Sequence, residues 1–158
     1  MSDIHEGRCL CGELSYSVTG EPARVIVCHC RFCQRATGST GMVDAIFPEA
    51  TFVQRTGTPL VHRHLSQGSG KEVRVHFCGR CGGRTHLTFD AIPGVVGIYA
   101  GTFDDPHWFD RSGAPHIFAD EAPPGTFFPA DTDIFPKGLR ESDGSPATAQ
   151  RYAAPVRS

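Results

Sequence analysis

The sequence predicts a mainly β fold of small, packed antiparallel sheets with at most short helices, and three observations predict it. Several runs alternate apolar and polar residues with a period of two, the clearest being Val73, Val75 and Phe77 against Arg74 and His76. Gly- and Pro-bearing clusters such as Gly20-Glu21-Pro22, Gly57-Thr58-Pro59 and Pro93-Gly94 interrupt those runs at turn-like intervals. No internal repeat or heptad pattern is present. A chain of 158 residues accommodates one domain with a sizeable core and is short for two. We expect that domain over residues 1–137, with 138–158 as a mobile tail, because residues 141–158 are poor in large apolar side chains.

Taken in order, Glu13 to Val18 places Leu14, Tyr16 and Val18 on one face and reads as a half-buried strand. Arg24 to Val27 is a short β-branched run that delivers the chain into Cys28, and Arg31 to Ala36 then reads as a short helix. Met42 to Phe47, Thr51 to Gln54 and Leu60 to Leu65 are further strands, the last closed by the flexible loop Ser66-Gln67-Gly68-Ser69-Gly70. Val73 to Phe77 runs straight into Cys78, so a strand presents that thiol. Thr85 to Phe89, Val95 to Tyr99 and Pro115 to Ala119 complete the set, and Phe127, Phe128, Ile134 and Phe135 extend the packed region.

The cysteines carry the chemistry. All seven fall in three clusters: Cys9-Leu10-Cys11, Cys28-His29-Cys30-Arg31-Phe32-Cys33 and Cys78-Gly79-Arg80-Cys81. Thiolates are soft donors and Zn²⁺ takes four ligands in a tetrahedron, so short Cys-to-Cys spacings are what a backbone needs to aim two sulfurs at one ion. A disulfide framework fits poorly, since seven is odd and a Cys-x-Cys pair bridges only with strain. Arithmetic alone does not say which thiols share an ion. Geometry prefers two pairs, Cys9 with Cys11 and Cys78 with Cys81, joined at one closed site, while Cys28, Cys30 and Cys33 hold a second ion with one position open. The expectation is therefore a single zinc-binding domain carrying two ions. A redox dithiol at Cys78 and Cys81 is disfavoured, because the α/β pattern that usually frames such a motif is missing.

The same three clusters carry a resemblance. Together with Gln34-Arg35-Ala36-Thr37-Gly38-Ser39, Phe77 and Gly82, Gly101-Thr102-Phe103-Asp104-Asp105-Pro106 and Pro115-His116-Ile117-Phe118, the chain resembles the glutathione-dependent formaldehyde-activating enzymes over about residues 7 to 120. That family shares its domain with the centromere protein V group. The resemblance implies the same partition of thiols, with the four-cysteine site structural and the three-cysteine site catalytic. It also implies a carbon–sulfur lyase, or its reverse, acting on a small-molecule thiol adduct, glutathione with an aldehyde being the family example. Relatives commonly follow the His-Ile-Phe-like stretch with a segment ending in Pro-Trp; here Ala122-Pro123-Pro124-Gly125 follows and the only tryptophan is Trp108. The substrate is accordingly expected as a class.

Around the trio, Arg31 and Arg35 are candidates for a substrate carboxylate, because guanidinium forks suit carboxylates. Arg31 reads more simply as a solvated side chain, and Arg35 matches a basic position of the family. His29, between two ligands, should point away from the metal, and His116 is a candidate pocket residue. His62, His64, His76 and His86 default to surface or core placements. Asp104-Asp105-Pro106 reads as a turn.

A formal charge of -2, with 15 basic residues dispersed among 17 acidic ones, offers no basic patch for nucleic acid. The rival from another class is a non-catalytic zinc-stabilised β domain that binds a protein or nucleic acid. No apolar run reaches membrane-span length, and the residues from Met1 to Glu6 have neither a basic nor an apolar leader region. The expectation is a cytoplasmic protein whose partner is a small thiol, in a compartment that keeps thiols reduced.

Overall fold

A computed structural model describes residues 3–158. The chain is mainly β, built from twelve strands, one α-helix and three single-turn 3₁₀ segments among the described residues. It divides into two compact units, one of residues 3–24 with 44–110 and one of residues 25–43 with 111–158.

In the first unit β1 (Ile4–Arg8), β2 (Ser15–Thr19) and β5 (Phe52–Thr56) form an antiparallel sheet ordered β1-β2-β5. A second antiparallel ladder runs from β4 (Met42–Pro48) through β9 (Val95–Tyr99), β8 (Arg84–Phe89) and β7 (Glu72–Phe77) to β6 (Leu60–Leu65). The period-two pattern decides what each face does. Ala45, Phe47, Val96, Ile98 and His86 stand on one face, all buried, as expected where alternate side chains line a core. Aromatic contacts line this core: Tyr16 meets Phe52 of its own sheet at 5.7 Å and Phe103 at 6.0 Å between ring centroids, and Phe52 joins the two sheets by meeting His86 of β8 at 4.6 Å. The expected strands at Leu60 to Leu65 and Val95 to Tyr99 are found with those bounds. β1 was not legible in the sequence, because only Ile4 is large and apolar in it and that side chain is exposed.

In the second unit β3 (Arg24–Cys28) pairs with β10 (His116–Ile117), setting Val27 opposite His116 and Cys28 opposite Ile117. This pair is parallel, an exception to the antiparallel pattern the sequence suggests. The helix α1 (Arg31–Thr37) follows two residues after β3. Cys30 is its N-cap, and Gly38 ends it in the left-handed region at φ 65°, where its N–H donates to the Gln34 carbonyl. The segment beyond β10 is extended and paired: residue 134 bridges to His116 and Gln150, and β11 (Phe127–Phe128) pairs with β12 (Val156–Arg157). Residues 138–158, expected as a tail, thus include one strand and the Gln150 bridge.

Candidate metal centres

The four-thiol cluster is assembled within the first unit. Cys9 and Cys11 leave the end of β1, and Cys78 and Cys81 occupy the turn between β7 and β8, so one tight loop from each sheet supplies two sulfurs. All four Sγ atoms lie within 4.8 Å of one another. The Cys9–Cys11 and Cys11–Cys78 sulfurs are each 3.7 Å apart. That is far from a disulfide and close to the edge of a tetrahedron built on Zn–S bonds, about 3.8 Å. Backbone N–H groups point at the sulfurs: Leu14 donates to Cys9 at 3.3 Å, Arg80 to Cys78 at 3.4 Å and Gly83 to Cys81 at 3.4 Å. Such donors stabilise thiolate charge, and the N–H groups of Gly83 and then Cys11 draw the Cys81 pKa down to about 6. The residues therefore suit a thiolate-bound ion such as zinc.

The second cluster lies in the second unit and comes from one local segment. Strand β3 ends on Cys28, the chain turns through His29, and the first turn of α1 brings Cys33 back to Cys30, whose sulfur accepts the Cys33 N–H at 3.4 Å. The three Sγ atoms lie within 4.8 Å of one another, and among the described residues no fourth His, Cys, Asp or Glu joins them. Without a cation, three sulfurs this close do not ionise together. Hydrogen bonds from the thiols of Cys28 and then Cys33 pull Cys30 down to about 3, while the Cys28 thiol, acting as donor to Cys30, is pushed up to about 12 and Cys33 is pushed up further. A divalent ion would relieve that repulsion and release the two held protons. The donor set fits a soft metal with one position left for another ligand.

Around this loop the structure builds a closed frame. The Gln34 amide donates to the His29 carbonyl at 2.6 Å and to the Glu121 carbonyl at 2.9 Å. Glu121 in turn accepts the Arg31 backbone N–H at 2.6 Å, and the Arg31 guanidinium donates to the Gln34 side chain. Buried His29 is a neighbour of the sulfurs in sequence without joining the ligand group. Its Nε2 is 2.9 Å from Nδ1 of His116, and its Nδ1 is 3.4 Å from the Thr40 carbonyl. Burial lowers the pKa of both histidines, that of His116 to about 4, so both stand neutral at physiological pH.

The other sequence candidates are distributed more widely. Arg35 is exposed in the last turn of α1. Asp104 bonds Arg8 and the Asp105 carboxylate accepts the His107 N–H at 2.8 Å, so this stretch is a braced turn. His76 and His86 stack at 4.1 Å as part of the sheet, and His62 is exposed on the edge strand β6. Trp108 stacks on His5 at 3.5 Å in the first unit. Sequence reasoning missed Asp44. It is buried in β4, its Oδ1 lacks a hydrogen-bond partner, and burial pushes its pKa up to about 7. Its strand pattern gave no warning, since alternation does not tell which face will be covered.

Comparison with known proteins adds to this geometry. The family described as "Glutathione-dependent formaldehyde-activating enzyme" matches residues 4–121. A crystal structure of a Rhodobacter sphaeroides protein aligns with a TM-score of 0.54 at 20% identity, covering 70% of this chain and 98% of its own, a likeness of fold. No curated protein matches the chain.

Proposed function

Because the chain belongs to the glutathione-dependent formaldehyde-activating enzyme family, matched from residue 4 to residue 121, we propose that it is a zinc-dependent carbon–sulfur lyase, or a catalyst of the reverse addition, acting on a small-molecule thiol adduct. The observation that carries this reading is the gathering of three thiols from one turn, with no fourth His, Cys, Asp or Glu among the described residues. Cys28, Cys30 and Cys33 would hold the exchangeable ion, and Cys9, Cys11, Cys78 and Cys81 a structural one. Zinc bound by the trio would supply an acceptor that keeps an added sulfur ligand as its thiolate.

The chemistry follows from the donor set. Three thiolates carry a charge of about -3, which makes the site poor at generating hydroxide and well suited to retaining soft sulfur. In the lyase direction the electrons of the breaking carbon–sulfur bond return to sulfur, the adduct hydroxyl gives its proton to solvent, and its oxygen becomes the carbonyl. The protein holds the loop rigid through Gln34, which ties the His29 carbonyl to that of Glu121. Exposed Arg35, at the far end of the same helix, is assigned to the substrate carboxylate, a pairing its planar fork suits. Among the described residues no helix is long and apolar enough to cross a membrane, and we propose the cytoplasm, with its reduced thiols, as the working compartment.

Cobalt substitution tests the reading. Glutathione or a related small thiol should change the cobalt–thiolate charge-transfer bands of the fully metallated protein, and Cys30→Ser should lose the response. If a broad set of thiols leaves the spectrum unchanged, the lyase reading fails and a zinc-stabilised binding domain becomes the better account.

A further inference from the structure

The family match stops at residue 121. Residues 122–158 are therefore additional to the matched region, and they are ordered against one part of it. The His116 N–H donates to the Asp133 carbonyl at 2.9 Å, and the Phe135 N–H donates to the His116 carbonyl at 2.8 Å. Ile134 is held from its other side by Gln150, with both backbone hydrogen bonds at 2.8–2.9 Å. Phe128, buried and fixed in register opposite Val156, sets its ring edge-on to both His116 at 5.1 Å and His29 at 5.6 Å.

His29 stands between two ligands, so its ring orientation constrains the peptide groups that carry Cys28 and Cys30. Its surroundings leave it one orientation. Gly41 lies so close that a Cβ there would meet the Cys28 carbonyl oxygen at 3.0 Å and His29 Nδ1 at 3.1 Å. The Thr40 carbonyl can only accept, which makes His29 Nδ1 the N–H and Nε2 the acceptor. His116 must then donate from its Nδ1. The tautomer of one ring is thus set by the other, and the strand that carries the other is held by β3 along one edge and by backbone bonds to residues 133 and 135 along its other edge.

We propose that residues 122–158 are a brace for the three-thiol site: Phe128 and the backbone of residues 133–135 hold His116 against His29, and His116 and Phe128 are positioning residues that keep Cys28 and Cys30 aimed at one ion. The proposal rests on the two-zinc reading above. Residues beyond the direct ligands that orient a metal site typically change metal affinity by about 10–100-fold when removed, and the brace should act in that range.

The test uses full-length, zinc-loaded protein and a colorimetric chelator, following zinc release in time. Wild type should release in two phases, the faster from the trio and the slower from the four-thiol site. Phe128→Ala and His116→Phe should accelerate the fast phase about 10-fold or more and leave the slow phase unchanged. His116→Asn, which keeps a donor near the Nδ1 position, should restore most of the wild-type rate. Phe128→Leu, which retains bulk without the ring, gives a milder acceleration and serves if the alanine variant does not fold. An unchanged fast phase in folded variants overturns the brace, and so does an equal acceleration of both phases, which marks general loosening. A wild-type protein that holds only one zinc overturns the underlying site reading before any variant is measured.

Discussion

Asp44 shows how much one buried atom can reveal. Its Oδ1 is buried with no hydrogen-bond partner, and Gly97, diagonal to it on the neighbouring strand β9, has no room for a Cβ, which would meet that oxygen at 2.6 Å. Burial raises its pKa to about 7, from the ordinary carboxylate value near 4. A carboxyl whose folded pKa is raised contributes stability fully below pH ~4 and loses it as the pH rises through about 7. Asp44→Asn should therefore be more stable than wild type at pH 8, by on the order of 4 kcal/mol, and melt higher there, with the difference vanishing near pH 4. Thermal melts across that range check it; a constant difference at all pH values would show that the ionised carboxylate is not what costs stability.

At the scale of elements, the turn from β3 into α1 does the positioning. Its helix is only seven residues long, too short to be stable by propensity alone, and it is held by its caps and by side-chain bonds. Gln34 is the central one, since a buried amide that spans two carbonyls replaces water at both. Gln34→Ala should cost about 1–3 kcal/mol by stranding those acceptors. Gln34→Met, similar in length, should do no better. Chemical denaturation distinguishes this from a mere packing loss, in which methionine would recover most of the stability.

For the whole molecule, the two thiol clusters should contribute differently. The four-thiol site ties a loop after β1 to the β7–β8 turn, residues far apart in sequence, whereas the trio is confined to a single turn. A metal that joins distant segments contributes folding free energy, on the order of 10 kcal/mol in small zinc domains, softened here by a substantial core. Cys81→Ser should accordingly lower the melting temperature strongly, while Cys30→Ser should mainly abolish the thiol response. Strong chelation should remove the trio's metal before global unfolding sets in. Equal destabilisation by the two substitutions would show that the sites are not divided in this way.

The sequence by itself determined the mainly β class, the helix at Arg31 and the grouping of thiols, because these are local properties. Period-two burial selects strands such as Val73 to Phe77, a glycine in the left-handed region stops α1 at Gly38, and Cys-x-Cys and Cys-x-x-Cys spacings preset which sulfurs can converge. Tertiary structure alone decided that His29 meets His116 and that Ile134 lies along β10. It also decided that Asp44 is covered and that residues 138–158 contribute a strand. The physical reason is that these contacts are chosen by which faces and edges the assembled sheets leave to be filled. A residue's neighbours along the chain carry no record of that choice.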